Sequence, residues 1–205
     1  MRPSPVRLYD FPFSGNGYKV RLALAALSLP VDYRIVDLVA GETRSPAFLA
    51  RNPMGQIPVL ELSDGTLLRE SNAILFWLSE GSDLMPADPV ERARVIQWMC
   101  FEQSNIDKVI GRAKFLRAYP DFRPTTVAEF EGWWADGHAA LAVMDSELAG
   151  RDFLVGGAFS AADICLYGYV HGAPEGGFNL SRFPNVTAWL ERVRTQPRHV
   201  AIDDF

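Results

Sequence analysis

The hydrophobic periodicity of this chain changes once, at residues 81–89 (GSDLMPADP), and does not change back. Before that stretch it alternates between period two and period 3.6; beyond it only the helical period remains. Residues 6–10 read as a strand, 18–27 as a helix apolar almost throughout, and 31–37, after Pro30, as a half-buried strand. Ser45-Pro46 provides a cap and a first-turn proline for a helix over 47–51. Residues 58–62 and 66–69 flank the turn Ser63-Asp64-Gly65, which is a hairpin signal, and a helix runs on from Glu70 through Ile74, Leu75 and Leu78. The order is β-α-β-α-β-β-α: a parallel βαβ half, then an antiparallel pair and a helix. Such a half can close only into a small mixed four-stranded sheet.

Residues 81–89 read as a linker, with Asp88-Pro89 opening the next helix. The expected organisation is an α/β domain over 1–80 and an all-α domain over 90–205. Residues 90–118 read as one long helix ended by Pro120. Thr126 and Glu129 form a capping-box pattern heading a helix in which Phe130, Trp134, Leu141, Met144 and Leu148 share a face, and Gly150 stops it. Ser160 and Asp163 form a second box, opening a helix over 162–170; residues 183–194 supply the last one. Glycines in Pro174-Glu175-Gly176-Gly177-Phe178 suggest a mobile loop.

Composition excludes several function classes. No run approaches about 18 apolar residues, so no membrane-spanning helix is expected. Residues 1–13 carry Arg2, Arg7, Asp10 and three prolines where a secretory signal needs an apolar core, which points to the cytoplasm. The net charge is -5 and no basic patch occurs, so nucleic acid is not an expected partner. Cys100 and Cys165 stand alone in apolar helical stretches and read as buried reduced thiols. His138, His171 and His199 show no ligand spacing, so no metal is expected.

Three segments of the first domain can carry chemistry. Ser14-Gly15-Asn16-Gly17 lies between the first strand and helix, where α/β sheets bind ligands. Ser14 and Asn16 can donate to an anion there, or simply cap the helix. It is no Walker loop, lacking that spacing and the Lys-Ser/Thr end. Asn52-Pro53-Met54-Gly55-Gln56-Ile57-Pro58 reads on its own as a turn entering an edge strand. Glu70-Ser71-Asn72 opens a helix with a carboxylate, a hydroxyl and free N–H groups. That set can hold the ammonium and carboxylate of an α-amino acid end, or again be a cap.

In this order and on this pattern the three segments closely resemble the cytosolic glutathione transferases, across nearly the whole chain. Gly55-Gln56-Ile57-Pro58-Val59-Leu60 and Glu70-Ser71-Asn72-Ala73-Ile74 are similar to the family's two glutathione-binding stretches, and Phe159-Ser160-Ala161-Ala162-Asp163-Ile164 to its capping box, a folding device. The resemblance implies a thioredoxin-like first domain and a cis Pro58. Ile57 would pair its main chain with the cysteinyl part of glutathione as an added strand. Gln56, Glu70 and Ser71 would hold the γ-glutamyl end, and Thr43 and Arg44 the glycyl carboxylate.

Ser14-x-Asn16-Gly17-x-Lys19-Val20 is most similar to bacterial members related to the Nu class, which hold the thiol with a hydroxyl residue and an asparagine two positions on. Here these are Ser14 and Asn16. Tyr9 falls within the first strand rather than after it, unlike the tyrosine of the alpha, mu and pi classes. No cysteine occupies the loop, so mixed-disulfide chemistry lacks its residue. The implied activity is glutathione transfer, with Ser14 as donor to the thiolate, glutathione as co-substrate and a small hydrophobic electrophile as second substrate. Phe13, Phe115 and Tyr119 are candidate walls for that substrate, or ordinary core. Disulfide reduction on the same site and a non-catalytic glutathione-binding module stand as alternatives. A homodimer is implied as well, across the sheet domain and the helix from Val90, from which Glu102 or Gln103 would point toward the partner's glutathione, or simply lie on a solvated helix face.

Overall fold

The computed structural model describes residues 6–204; residues 1–5 and 205, ends of the two expected domain spans, lie outside. The chain divides into two compact units, residues 6–82 with 197–204, and Asp83–Gln196.

The first unit runs β1 (Val6–Asp10), α1 (Gly15–Ala26), β2 (Val31–Ile35), a 3-10 turn (Glu42–Arg44), α2 (Pro46–Arg51), β3 (Val59–Glu61), β4 (Leu67–Leu68) and α3 (Ser71–Ser79). The sheet order is β2-β1-β3-β4. β1 pairs parallel to β2 with Leu8 opposite Tyr33, and antiparallel to β3 with Leu8 opposite Leu60. β3 pairs antiparallel to β4 with Leu60 opposite Leu68.

Strand alternation sorts the residues onto two faces. Tyr9 and Val59 pack with Val36 and with Phe48 of α2. Val6, Leu8 and Asp10 point the other way, where Asp10 meets Arg21 of α1. α1 is buried along Gly17–Leu24, and α3 packs beside it. β2 corrects one expectation: it ends at Ile35 and has no fully buried residue, because it forms the sheet edge.

Local chemistry explains the boundaries. Ser45 caps α2 by accepting from Phe48 N at 3.2 Å, with Pro46 in the first turn. Leu62 N donates to Thr66 O at 2.8 Å across the β3–β4 turn, where Gly65 has φ 85°. The last residues turn back onto α1: Tyr18 OH donates to Val200 O at 2.8 Å and Arg198 Nη1 to Ala26 O at 3.3 Å. The sequence reading carried these residues with the helical domain.

The second unit holds α4 (Pro89–Asn105), a π turn (Asp107–Gly111), α5 (Arg112–Ala118), α6 (Val127–Glu147), α7 (Ala161–Val170) and α8 (Pro184–Arg194). The expected single helix over 90–118 is therefore interrupted. The ring of Tyr169, from α7, fills the space where a side chain on Gly111 would stand, 2.4 Å from its Cε1. All ten residues of α7 are buried, which makes it the axis of the unit. Its Ser160–Asp163 box forms as expected, and the Asp163 carboxylate accepts from Leu154 N, Ser160 N, Ser160 Oγ and Trp189 Nε1 at 2.9–3.0 Å. α8 has no cap of its own; Asp145 of α6 accepts from Asn185 N and Val186 N instead.

Two further expectations, on Cys100 and on residues 174–178, are corrected here. Cys100 is exposed on α4, and only Cys165 is buried, donating from Sγ to Glu102 Oε2 at 3.4 Å. Phe130 and Trp134 are only partly covered, unlike Leu141, Met144 and Leu148. The Pro174–Phe178 segment is anchored rather than loose: Phe178 is buried and Trp134 Nε1 donates to Gly176 O at 2.9 Å. No helix of the described residues is long and apolar enough to cross a membrane.

Candidate active site

β1 delivers the chain into a short loop, Phe11 to Ser14, that starts α1. Ser14 N donates to Phe11 O at 2.9 Å, closing a turn. Ser14 is the N-cap: its backbone is extended (φ −74°, ψ 121°) and its Oγ accepts from Gly17 N at 3.1 Å. A hydroxyl has one hydrogen to give and two lone pairs. Here the acceptor side is engaged, and the hydrogen has no acceptor among the described residues. Cap and donor are thus compatible roles for one side chain.

Asn16 sits in the first turn of α1, and its Oδ1 accepts from Ser71 Oγ at 2.7 Å. The bond joins the starts of α1 and α3. Fifty-five residues separate the two, and sequence reasoning assigned them to different ends of the ligand. A second bond lies alongside: Lys19 Nζ, wholly buried, donates to Asn72 Oδ1 at 3.2 Å.

At Glu70 the backbone turns with φ 63° and ψ 111°, a conformation that crowds an L side chain, and its carboxylate is exposed at the head of α3. Ser71, the first helical residue, is buried. The Ile57–Pro58 peptide is cis, as the resemblance implied. Ile57 precedes β3, and its main chain takes part in no hydrogen bond among the described residues, so an extended ligand backbone can pair there. Gln56 is exposed, and its carbonyl accepts from Asn52 Nδ2 at 2.7 Å.

Thr43 and Arg44 lie against this segment, since Arg44 Nη1 donates to Met54 O at 3.2 Å. Gly55, at φ 63°, leaves the room: a side chain there would stand 2.7 Å from Arg44 Nη1 and 2.9 Å from Thr43 O. Thr43 is buried at 2% exposure and Arg44 is exposed, so of the two only the guanidinium is open to solvent. Phe13 is exposed at 54%, edge-on to Phe11. Phe115 and Tyr119 belong to the second unit, where Phe115 packs on Tyr119 and Phe122 at ring separations of 5.0 and 4.9 Å. Tyr9 is used elsewhere, donating to Glu61 Oε2 at 2.8 Å beneath the Arg51 guanidinium.

Two charged residues near the loop escaped the sequence reading. Asp10 and Arg21 are both wholly buried and paired at 3.2 Å. Burial pushes the Asp10 carboxyl up to about 7, although the Arg21 charge pulls it down. No metal-ligating cluster occurs among the described residues.

Comparison with known proteins agrees with this arrangement. The family model for the glutathione S-transferase N-terminal domain matches residues 4–80, and that for the C-terminal domain matches residues 136–197. The chain belongs to the glutathione S-transferase family. A glutathione S-transferase structure from Pseudomonas fluorescens is 45% identical with a TM-score of 0.93, covering 97% of this chain and 99% of that one. The disulfide-bond oxidoreductase YfcG of Escherichia coli is 30% identical over 94% of this chain and 91% of its own length. A glutathione transferase from Burkholderia graminis, solved with two glutathione molecules per subunit, is 27% identical with a TM-score of 0.79, covering 94% of this transferase and 85% of that chain.

Proposed function

We propose that this glutathione transferase activates the thiol of glutathione at the start of α1, with Ser14 and Asn16 as the two side-chain donors. The observation that carries this reading is the state of Ser14: its oxygen is engaged by Gly17 N while its hydrogen is left to give. At neutral pH only a few per cent of an ordinary thiol is ionised. Lowering its pKa by about two units stabilises the thiolate by roughly 2.7 kcal/mol. One charge-assisted hydrogen bond from Ser14 contributes about 1.5–3 kcal/mol of that, and the Asn16 amide and the free N–H groups of the helix start contribute the remainder.

The thiol proton leaves to solvent. The sulfur lone pair then forms a bond to an electrophilic carbon, whose leaving group or π electron pair departs. The main chain of Ile57 aligns the cysteinyl segment, Gln56, Glu70 and Ser71 hold the γ-glutamyl end, and Arg44, alone of the Thr43–Arg44 pair, faces the glycyl carboxylate. The second substrate is a small hydrophobic electrophile. The similarity to the disulfide-bond oxidoreductase is consistent with a second reading without favouring it, in which the thiolate attacks a disulfide sulfur and expels a thiolate. The protein acts as a cytoplasmic homodimer.

Ser14→Ala tests the assignment. The pKa of bound glutathione, followed by thiolate absorbance, should rise by about one to two units. An unchanged pKa would leave Ser14 as a cap alone. Glu70→Ala should raise KM for glutathione more than it lowers kcat, since the γ-glutamyl end is remote from the sulfur.

A further inference from the structure

The loop that carries Ser14 is held from beneath. Asp10 ends β1, and its carboxylate accepts from Tyr33 OH at 3.3 Å and pairs with Arg21 Nε at 3.2 Å. The other oxygen, Oδ1, has no hydrogen-bond partner among the described residues and lies over Gly17. Any side chain at Gly17 would come within 1.7 Å of it. Gly17 is the residue whose N–H holds the Ser14 hydroxyl.

Arg21 extends the same framework. One guanidinium nitrogen donates to Pro12 O inside the loop, and the other to Ile202 O of the returning tail at 2.6 Å. Its plane also lies 5.4 Å from the ring centre of Tyr18 and 5.9 Å from that of Tyr33. Pro12 is thus tied to Arg21, and Gly17 is packed on the Asp10 carboxylate. A buried ion pair adds little net stability, because losing hydration offsets most of the attraction. What this pair adds is direction: a planar fork satisfies separate acceptors at fixed angles, which a lysine ammonium cannot reproduce.

We propose that the Asp10–Arg21 pair is a positioning unit of the transferase, which sets the Phe11–Ser14 loop and so aims the Ser14 hydroxyl at the glutathione sulfur. Neither residue touches substrate. The inference rests on the Ser14 assignment above and extends it to a pair that only the fold brings together.

Arg21→Lys keeps a positive charge against Asp10 but cannot reach Pro12 and Ile202 together. The pKa of bound glutathione should rise by about half the shift seen for Ser14→Ala, with a roughly three- to tenfold loss of kcat/KM at pH 6.5. In Ser14→Ala/Arg21→Lys the pKa should equal that of Ser14→Ala alone. A purely structural pair predicts a lower melting temperature and a wild-type thiol pKa in Arg21→Lys, and that result overturns the proposal. Additive shifts in the double variant overturn it too, since the pair would then act by another route. A wild-type pKa in Ser14→Ala instead removes the Ser14 assignment itself. If Arg21→Lys does not fold, Tyr33→Phe trims a single hydroxyl from the carboxylate. It should shift the pKa in the same direction by less, and no shift counts against the proposal.

Discussion

Helices α1 and α7 both begin at a serine and both bury an aspartate beneath their first turn, yet the two starts end up doing different things. At α7 every requirement is met internally, with four donors converging on Asp163 and its own cap among them. At α1 the balance is left incomplete. Ser14 accepts one bond and keeps a hydrogen, and one oxygen of Asp10 has no hydrogen-bond partner among the described residues. A helix start that closes on itself is a folding device; one with donors left over can accept a ligand.

The largest effect that separates them is structural. Asp163→Ala should strand Leu154 N, Ser160 N and Trp189 Nε1 in a buried site and lower stability by about 4 kcal/mol or more. Chemical unfolding measures it, and a loss under about 1 kcal/mol would mean the box is not the keystone of its unit.

Titration comes next. Burial raises Asp10 to about 7 and Asp163 to about 6, above the ordinary carboxylate value and against the pull of Arg21 on the first and of its donors on the second, so each binds its proton more tightly in the folded than in the unfolded chain. The stability they contribute is complete below about pH 4 and is lost as pH rises through those values, by up to about 1.4 kcal/mol per unit for each. Asp163→Asn should roughly halve the slope between about pH 4 and 6 and leave the slope between about 6 and 7 unchanged. Urea unfolding between pH 4 and 8 measures both, and a flat profile would show both carboxyls ionised throughout.

The smallest effect is the sharpest. Ser14→Ala and Ser160→Ala should each lower stability by about 1 kcal/mol as lost caps. Only Ser14→Ala should also move the thiol pKa.

How much of this was legible in the sequence follows the distance over which each cause acts. Ser45-Pro46, the Ser63–Gly65 turn and both capping boxes are short-range chemistry, and each formed where its residues stood. The break in the α4–α5 helix was not legible, nor was the ring of Tyr169, from far along the chain, that packs on Gly111 there. The burial of Lys19 and Arg21 was hidden for the same reason. Charged residues on a helix look solvated until Asn72, Asp10 and the tail arrive from elsewhere to meet them. In the site, the order of the Ser14, Gln56 and Glu70 segments was readable, whereas the Asn16–Ser71 bond needed α1 and α3 side by side.

Glu70 carries a consequence of another kind. Its backbone sits at φ 63°, where glycine is comfortable and a side chain is not. Glu70→Gly should therefore make the protein more stable, by about 1 kcal/mol, while removing the carboxylate proposed to face the γ-glutamyl ammonium. A library screened for heat resistance alone would drift toward glycine at this position and yield a sturdier protein with a poorer grip on glutathione. Persistence of glutamate there under combined selection for heat resistance and turnover would be a direct readout of the ligand it serves.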